Sequence, residues 1–146
     1  MNAIATNIIV DRAGRSYSVQ HTGITANRDI PTASVQLWKL EALRKVNGFE
    51  KLASNWDGWN SEAPNRATRQ TAIDLLLSVP GDYETVRVVP VSGGGYQFEW
   101  SIGSRELEIS IDGNANIEAL RIKDGIPLED EEPHDLVELF NWISSR

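Results

Sequence analysis

Cysteine is missing from this chain of 146 residues, which excludes disulfides and thiolate-bound metals at the outset. Histidine is nearly missing as well. Only His21 and His134 occur, and they lie too far apart in the chain to give a metal-ligand spacing. Apolar runs are short, with Leu75-Leu76-Leu77 typical, whereas a transmembrane helix needs about 20 residues. The segment Met1 to Asn7 has no basic stretch ahead of an apolar one, so it does not read as a secretory signal and the expected location is the cytoplasm. Basic residues are in deficit, 14 against 21 acids for a net charge of −7. Binding to duplex nucleic acid calls for the opposite balance, a basic stripe. Neither nucleic acid nor a membrane is therefore an expected partner, and no cofactor or metal is expected.

What is present suits one globular domain spanning residues 1–146. Apolar residues make up 40% and charged residues 24%, the balance of a chain that buries a core. The charge is uneven. Seven acids, Asp124, Glu129, Asp130, Glu131, Glu132, Asp135 and Glu138, face one base, Arg146, in the last stretch. The rest of the chain is nearly neutral.

The expected fold class is α+β. Residues 1–31 read as a candidate hairpin and a loop, with Ile8-Ile9-Val10 and Ser16 to Val19 as strands and Asp11 to Gly14 as the turn. Residues 32–80 read as a helical pair. The first helix starts near Thr32 or Ser34, and Val35, Trp38, Ala42, Val46 and Phe49 form a stripe widened by Leu37, Leu40 and Leu43. Asn47-Gly48 breaks it, and a short turn follows to Ala53. The second helix runs from about Arg66 to Ser78, capped by Asn65 and stopped by Pro80. Its apolar face is Ala72, Ile73, Leu76 and Leu77.

Residues 85–123 read as a meander of about four antiparallel strands. A two-residue turn at Gly103-Ser104 sets the register. Ile102 then faces Arg105, Trp100 faces Leu107, Phe98 faces Ile109 and Tyr96 faces Ile111, all on one core face. The other face takes Gln97, Glu99, Ser101, Glu106, Glu108 and Ser110, with Glu99 opposite Glu108. Arg121 and Lys123 are expected on that face as an offset to the like charges. Residues 124–146 read as an acidic loop and a helix starting near Pro133, which buries Leu136, Leu139 or Phe140, and Ile143.

At Asn55-Trp56-Asp57-Gly58 the chain resembles a broad group of small, largely uncharacterised bacterial and phage proteins. In that group a leucine-rich helix runs into an NWDG turn followed by an aromatic. A second helix ending in a Leu-Pro-like stop follows, then a glycine turn and strands of the Q-x-E-W and R-x-L-x-I-x-I type. Here the matching elements are Leu52 to Trp59, Pro64, Leu75 to Pro80, Gly94 to Trp100 and Arg105 to Gly113, within roughly residues 37–123. Asn60-Ser61-Glu62-Ala63 departs from the glycine-alanine usual after the motif. The resemblance implies a shared fold and a host–phage setting, and it brings no activity with it.

Catalytic signatures are thin. There is no G-x-S-x-G elbow, and Ser92-Gly93-Gly94-Gly95 lacks the Lys-Ser/Thr of a P-loop. In the NWDG turn Trp56 is expected to fill the gap between the helices. Asp57 is expected to bond backbone N–H groups and Gly58 to take positive φ. Trp59 would be exposed as a partner anchor. Acids at the start of the last helix suit its dipole, and an acidic surface also suits a basic partner. The expected function is a non-catalytic protein-binding module: a stoichiometric inhibitor or neutraliser of a basic protein, of antitoxin, immunity or anti-CRISPR type. The partner-binding residues would be Trp59, Asp124, Glu129, Asp130, Glu131, Glu132, Asp135 and Glu138. Two alternatives stand beside it: a small enzyme using His134 or Glu99, Glu106 and Glu108, and a structural subunit that self-associates through Trp59.

Overall fold

The computed structural model describes residues 6–11, 16–20, 36–129 and 135–145. It is an α+β fold. The strands are β1 (Thr6–Asp11), β2 (Ser16–Gln20), β3 (Arg87–Val91), β4 (Gly95–Ile102), β5 (Arg105–Ile111), β6 (Ile117–Lys123) and β7 (Ile126–Pro127). The helices are α1 (Leu37–Gly48), α2 (Arg66–Ser78) and α3 (Leu136–Ser144). Among the described residues the strands form one sheet in the order β2-β1-β6-β5-β4-β3. Pairing is antiparallel throughout except between β1 and β6. β7 uses the same edge of β6 further along, pairing Ile122 with Pro127. The meander of about four strands is thus the centre of a wider sheet. β1 and β2 extend it as the candidate hairpin suggested, with their connecting turn outside the described residues.

The Gly103-Ser104 turn sets the register as expected. Ile102 pairs with Arg105, Trp100 with Leu107, Phe98 with Ile109 and Tyr96 with Ile111. Tyr96, Phe98, Trp100, Leu107, Ile109 and Ile111 are buried on one face together with Ile117, whereas Ile102, expected with them, is exposed beside the turn at the end of its strand. All three helices cover that face. Trp38 of α1 and Phe140 of α3 meet the Trp100 ring edge-on, at 6.4 and 4.9 Å between centroids. The Tyr96 hydroxyl donates to the Val46 carbonyl, 3.1 Å away, and burial pushes this phenol up to about 12. Removing an aromatic from such a core costs about 3–5 kcal/mol.

Helix boundaries follow local chemistry. Gln36 is extended, with ψ 138°, so α1 begins at Leu37 rather than at Thr32 or Ser34, which lie, like Val35, outside the described residues. Its buried stripe is narrower than expected. Trp38, Ala42 and Val46 are inside, while Leu37 and Leu40 are exposed. A 3₁₀ turn covers Phe49–Lys51, and Leu52 is already extended, short of the Ala53 expected. In α2 the Asn65 side chain accepts the Thr68 N–H at 2.9 Å, satisfying an otherwise orphan donor. Val79 before Pro80 is extended and ends the helix. Its buried residues are Thr68, Ala72, Leu75 and Leu76. Ile73 is half-buried and Leu77 exposed, because the helix is rotated slightly toward Leu75. α3 starts at Leu136, with Asp135 and Glu138 forming a reciprocal capping box. The helix thus begins behind the extended Asp135 N-cap, and Pro133, where the start was expected, lies outside the described residues.

Candidate functional site

The NWDG loop is held from within. The Asp57 carboxylate accepts the Trp59 N–H at 2.9 Å and the Ser61 N–H at 3.2 Å, and the Ser61 hydroxyl at 2.6 Å. The Ser61 hydroxyl oxygen in turn accepts the Gly93 N–H at 3.0 Å and lies 2.8 Å from the Ser92 hydroxyl. The loop is thereby tied to the β3–β4 turn. The Ser61 hydroxyl, helped by the Trp59 and Ser61 N–H groups and Ser92, holds the Asp57 carboxyl well below the usual carboxylate range against a smaller opposing effect of burial. Such a stabilised carboxylate is a poor general base. Gly58 has φ 77° and Asn55 has φ 63°. Asn55 caps the far side of the loop, its side chain accepting the Asn60 N–H at 2.7 Å. Trp59 is 84% exposed. Trp56 does not fill the gap between the helices. It is half-buried and its indole N–H donates to the Glu62 carbonyl of its own loop, 3.3 Å away. The aromatic that fills the core on the helix side is Trp38.

Two glycine-rich turns seat beside this loop. A Cβ on Gly113 would come within 2.1 Å of the Gly93 carbonyl oxygen, and one on Gly95 within 2.1 Å of the Ile111 carbonyl oxygen. The two turns touch backbone to backbone, which only glycine permits. Asp112 organises its turn as Asp57 does. Its carboxylate accepts the Asn114 and Asn116 N–H groups and the Asn116 side-chain amide. Burial raises the Asp112 carboxyl, and these donors more than reverse that.

The sheet face away from the helices is built differently. On the β3–β6 strands it carries Glu99, Glu106, Glu108 and Glu118, with Arg87 the one cation among the described residues of those strands on this face, and Leu120 and Ile122 between them. No described helix covers it. Glu99 does stand opposite Glu108, but Arg121 and Lys123 do not offset the pair. Arg121 pairs with Leu107 and Lys123 with Arg105, so both belong to the helix side. There the Arg121 guanidinium lies 5.1 Å from the Trp142 ring centre. The offset comes from β3 instead. Arg87 holds both Glu99 oxygens, at 2.7 and 3.0 Å, and the Gln97 amide donates at 2.8 Å. Arg87 is the residue that sequence reading missed. Its signal was the glycine turn, which sets it directly across from Glu99.

The acidic C-terminal segment is divided. Asp135 and Glu138 are engaged in capping α3. Asp124 sits in the tight β6–β7 turn at φ 53°, and its N–H donates to the Ser104 carbonyl. Glu129 is exposed, and Asp130, Glu131 and Glu132 lie outside the described residues, as do His21 and His134. Among the described members, Asp124 thus lies in the β6–β7 turn and Asp135 and Glu138 at the start of α3. Among the described residues no three acids or histidines are placed to hold a metal, and no helix is long and apolar enough to cross a membrane.

A cleft of about 500 Å³ opens at the end of β4 away from the NWDG loop. Asp82, Tyr83 and Glu84 form one wall, and Arg87, Glu99 and Ser101 the other. Tyr83 anchors the first wall to the core through edge-on contact with Trp38 at 5.4 Å and contact with Phe140 at 5.5 Å. Trp100 also lines the cleft, and its buried indole nitrogen has no hydrogen-bond partner among the described residues. Together these features define a class: an α+β domain with helices on one sheet face and an acidic second face that no described helix covers. No family model matches the chain, and no curated protein or solved structure matches it significantly.

Proposed function

We propose that this chain is a non-catalytic protein-binding module, a stoichiometric inhibitor or neutraliser of a protein with a basic surface, of antitoxin, immunity or phage anti-defence type. The observation that supports this reading is the sheet face that no described helix covers, where Glu99, Glu106, Glu108 and Glu118 share one side and Arg87 is the one cation among the described residues of β3–β6. Half-buried Leu120 and Ile122 between them give the face an apolar component, as protein interfaces have. A basic partner would be steered to such a face and held less well as salt screens it. The alternative of an enzyme using Glu99, Glu106 and Glu108 fits less well, because both Glu99 oxygens are engaged by Arg87 and Glu106 and Glu108 do not line the cleft.

The test is capture of partners from host lysate at low and high salt, using the wild-type chain beside Glu106→Lys with Glu118→Lys. One basic protein bound one-to-one, lost at high salt and lost by the double variant, is the expected result. Retention of the same partner by the double variant would remove the sheet face from the interface. Absence of any stoichiometric partner would favour self-association.

A further inference from the structure

β4 is longer than the strand beside it. Its pairing with β3 ends at Arg87 opposite Glu99, whereas its pairing with β5 continues to Ile102 opposite Arg105. Two independent features fix which way the leftover backbone points. Ile102 and Arg105 flank a two-residue turn, so their backbone groups bond each other, and by strand alternation those of Ser101 point away from β5. On β3, Pro90 has no N–H and suits a position facing the open edge. That leaves Arg87, Val89 and Val91 bonded toward β4, and Glu99 and Ser101 facing the β3 side. Both arguments turn the Ser101 N–H and carbonyl toward the place where β3 has ended, and that place is the cleft of about 500 Å³. The next β3-side position would fall at Thr85, but residues 84–86 run outside the strand. Asp82 and Glu84 are exposed on the facing wall, and Glu99 is on the β4 side.

Resting on the reading of a basic partner, we infer that the cleft receives an extended segment of that partner, which adds to the sheet beside Ser101 and places a lysine or arginine between Asp82, Glu84 and Glu99. Main-chain bonds to the free edge of Ser101 supply the register. The carboxylates select a cationic side chain, because Arg87 is the one positive group among the described lining residues and is already engaged with Glu99. The volume lies within the roughly 300–1,000 Å³ of pockets that enclose a ligand, and it suits a side chain with its flanking backbone better than a folded surface. The remaining outer face would meet the folded body of the same partner.

The experiment is a titration of the full chain, followed by backbone and indole N–H NMR signals, with a blocked peptide of alternating threonine and lysine at low salt. A second peptide of the same sequence carries N-methyl groups on alternate amides, which keeps its charge and prevents strand pairing. The expected result is binding of the first peptide, with shifts confined to Thr85, Arg87, Ser101, Gly103 and the Trp100 indole. The methylated peptide should bind about tenfold more weakly or worse, a loss of about 1.4 kcal/mol. Ser101→Pro, which removes an N–H that β5 does not use, should abolish the difference between the two peptides. Asp82→Lys with Glu84→Lys should weaken both while leaving the fold intact. Equal binding of the two peptides, or shifts centred on Glu106, Glu108 and Glu118, would overturn strand addition while leaving the acidic-face reading standing. No binding of either peptide would overturn it as well, and lysate capture would then judge the broader reading independently.

Discussion

The two ends of β4 use polar groups in opposite ways. At the Gly95 end, Asp57, Asp112, Ser61 and Asn65 all make hydrogen bonds with the backbone and side chains of their own and neighbouring turns, and two turns touch through glycine. At the Ile102 end, the backbone of Ser101 has no ladder partner on the β3 side among the described residues, and three carboxylates stand around a cleft. The lesson is that the most distinctive motif in the chain, Asn55 to Gly58, is an architectural knot. The less conspicuous end is the one with groups left over for another molecule. If that contrast is right, substitutions at the first end should change stability, and those at the second should change binding.

The largest stability effect is expected at the knot. Gly113→Ala puts a methyl group onto the Gly93 carbonyl oxygen, and the backbones must separate, at a cost of about 1–3 kcal/mol. Gly103→Asn at the other end is the control. Gly103 has φ 59° with nothing near its Cβ position, and asparagine tolerates that conformation, so the cost stays under about 1 kcal/mol. Denaturant midpoints of the two variants decide the matter. Equal losses would break the comparison.

Asp57 sharpens it through pH. Its carboxyl in the folded chain is held below the ordinary aspartate value, which is about 3.9 in an unfolded chain. A depressed carboxylate contributes stability that is fully present above the unfolded value and is lost as pH falls through the folded one. Asp57→Asn should therefore be less stable than wild type at neutral pH and show a flatter acid limb below about pH 4. Asp112, depressed in the same way, keeps the limb from vanishing. Parallel acid limbs for wild type and variant would mean that Asp57 does not carry the knot. A smaller effect follows at α3. Asp135→Ala removes one half of the capping box and should cost about 1 kcal/mol in thermal or denaturant unfolding.

Much of this contrast could be read from the chain before any coordinates. Gly103-Ser104 fixed the register of β4 on β5 because a two-residue turn allows only one, and Asn65 announced the start of α2. The orientation of β6 was not legible for a definite reason. Ile117 and Ala119 point one way and Leu120 and Ile122 the other, so both faces of the strand look half apolar. Only the length of the turn between Ile111 and Ile117 decides where Arg121 goes. The parallel pairing of β1 with β6 joins segments far apart in sequence, and no local pattern encodes it. The free edge at Ser101 was hidden for a related reason. It depends on where β3 stops, and Val86 continues the apolar alternation after the ladder has ended.

Trp59 carries the smallest expected effect on stability, and it tests the comparison from the other side because the knot presents this large aromatic outward. Its backbone N–H is held by Asp57, but its ring is 84% exposed. Trp59→Ala should leave unfolding within about 0.5 kcal/mol of wild type. If Trp59 anchors the partner, affinity for the captured protein should fall by about 2 kcal/mol or more. The interface would then reach from the cleft to the NWDG loop along the length of β4. If affinity is unchanged while the cleft variants weaken it, the NWDG end is architecture alone and binding belongs to the Ile102 end.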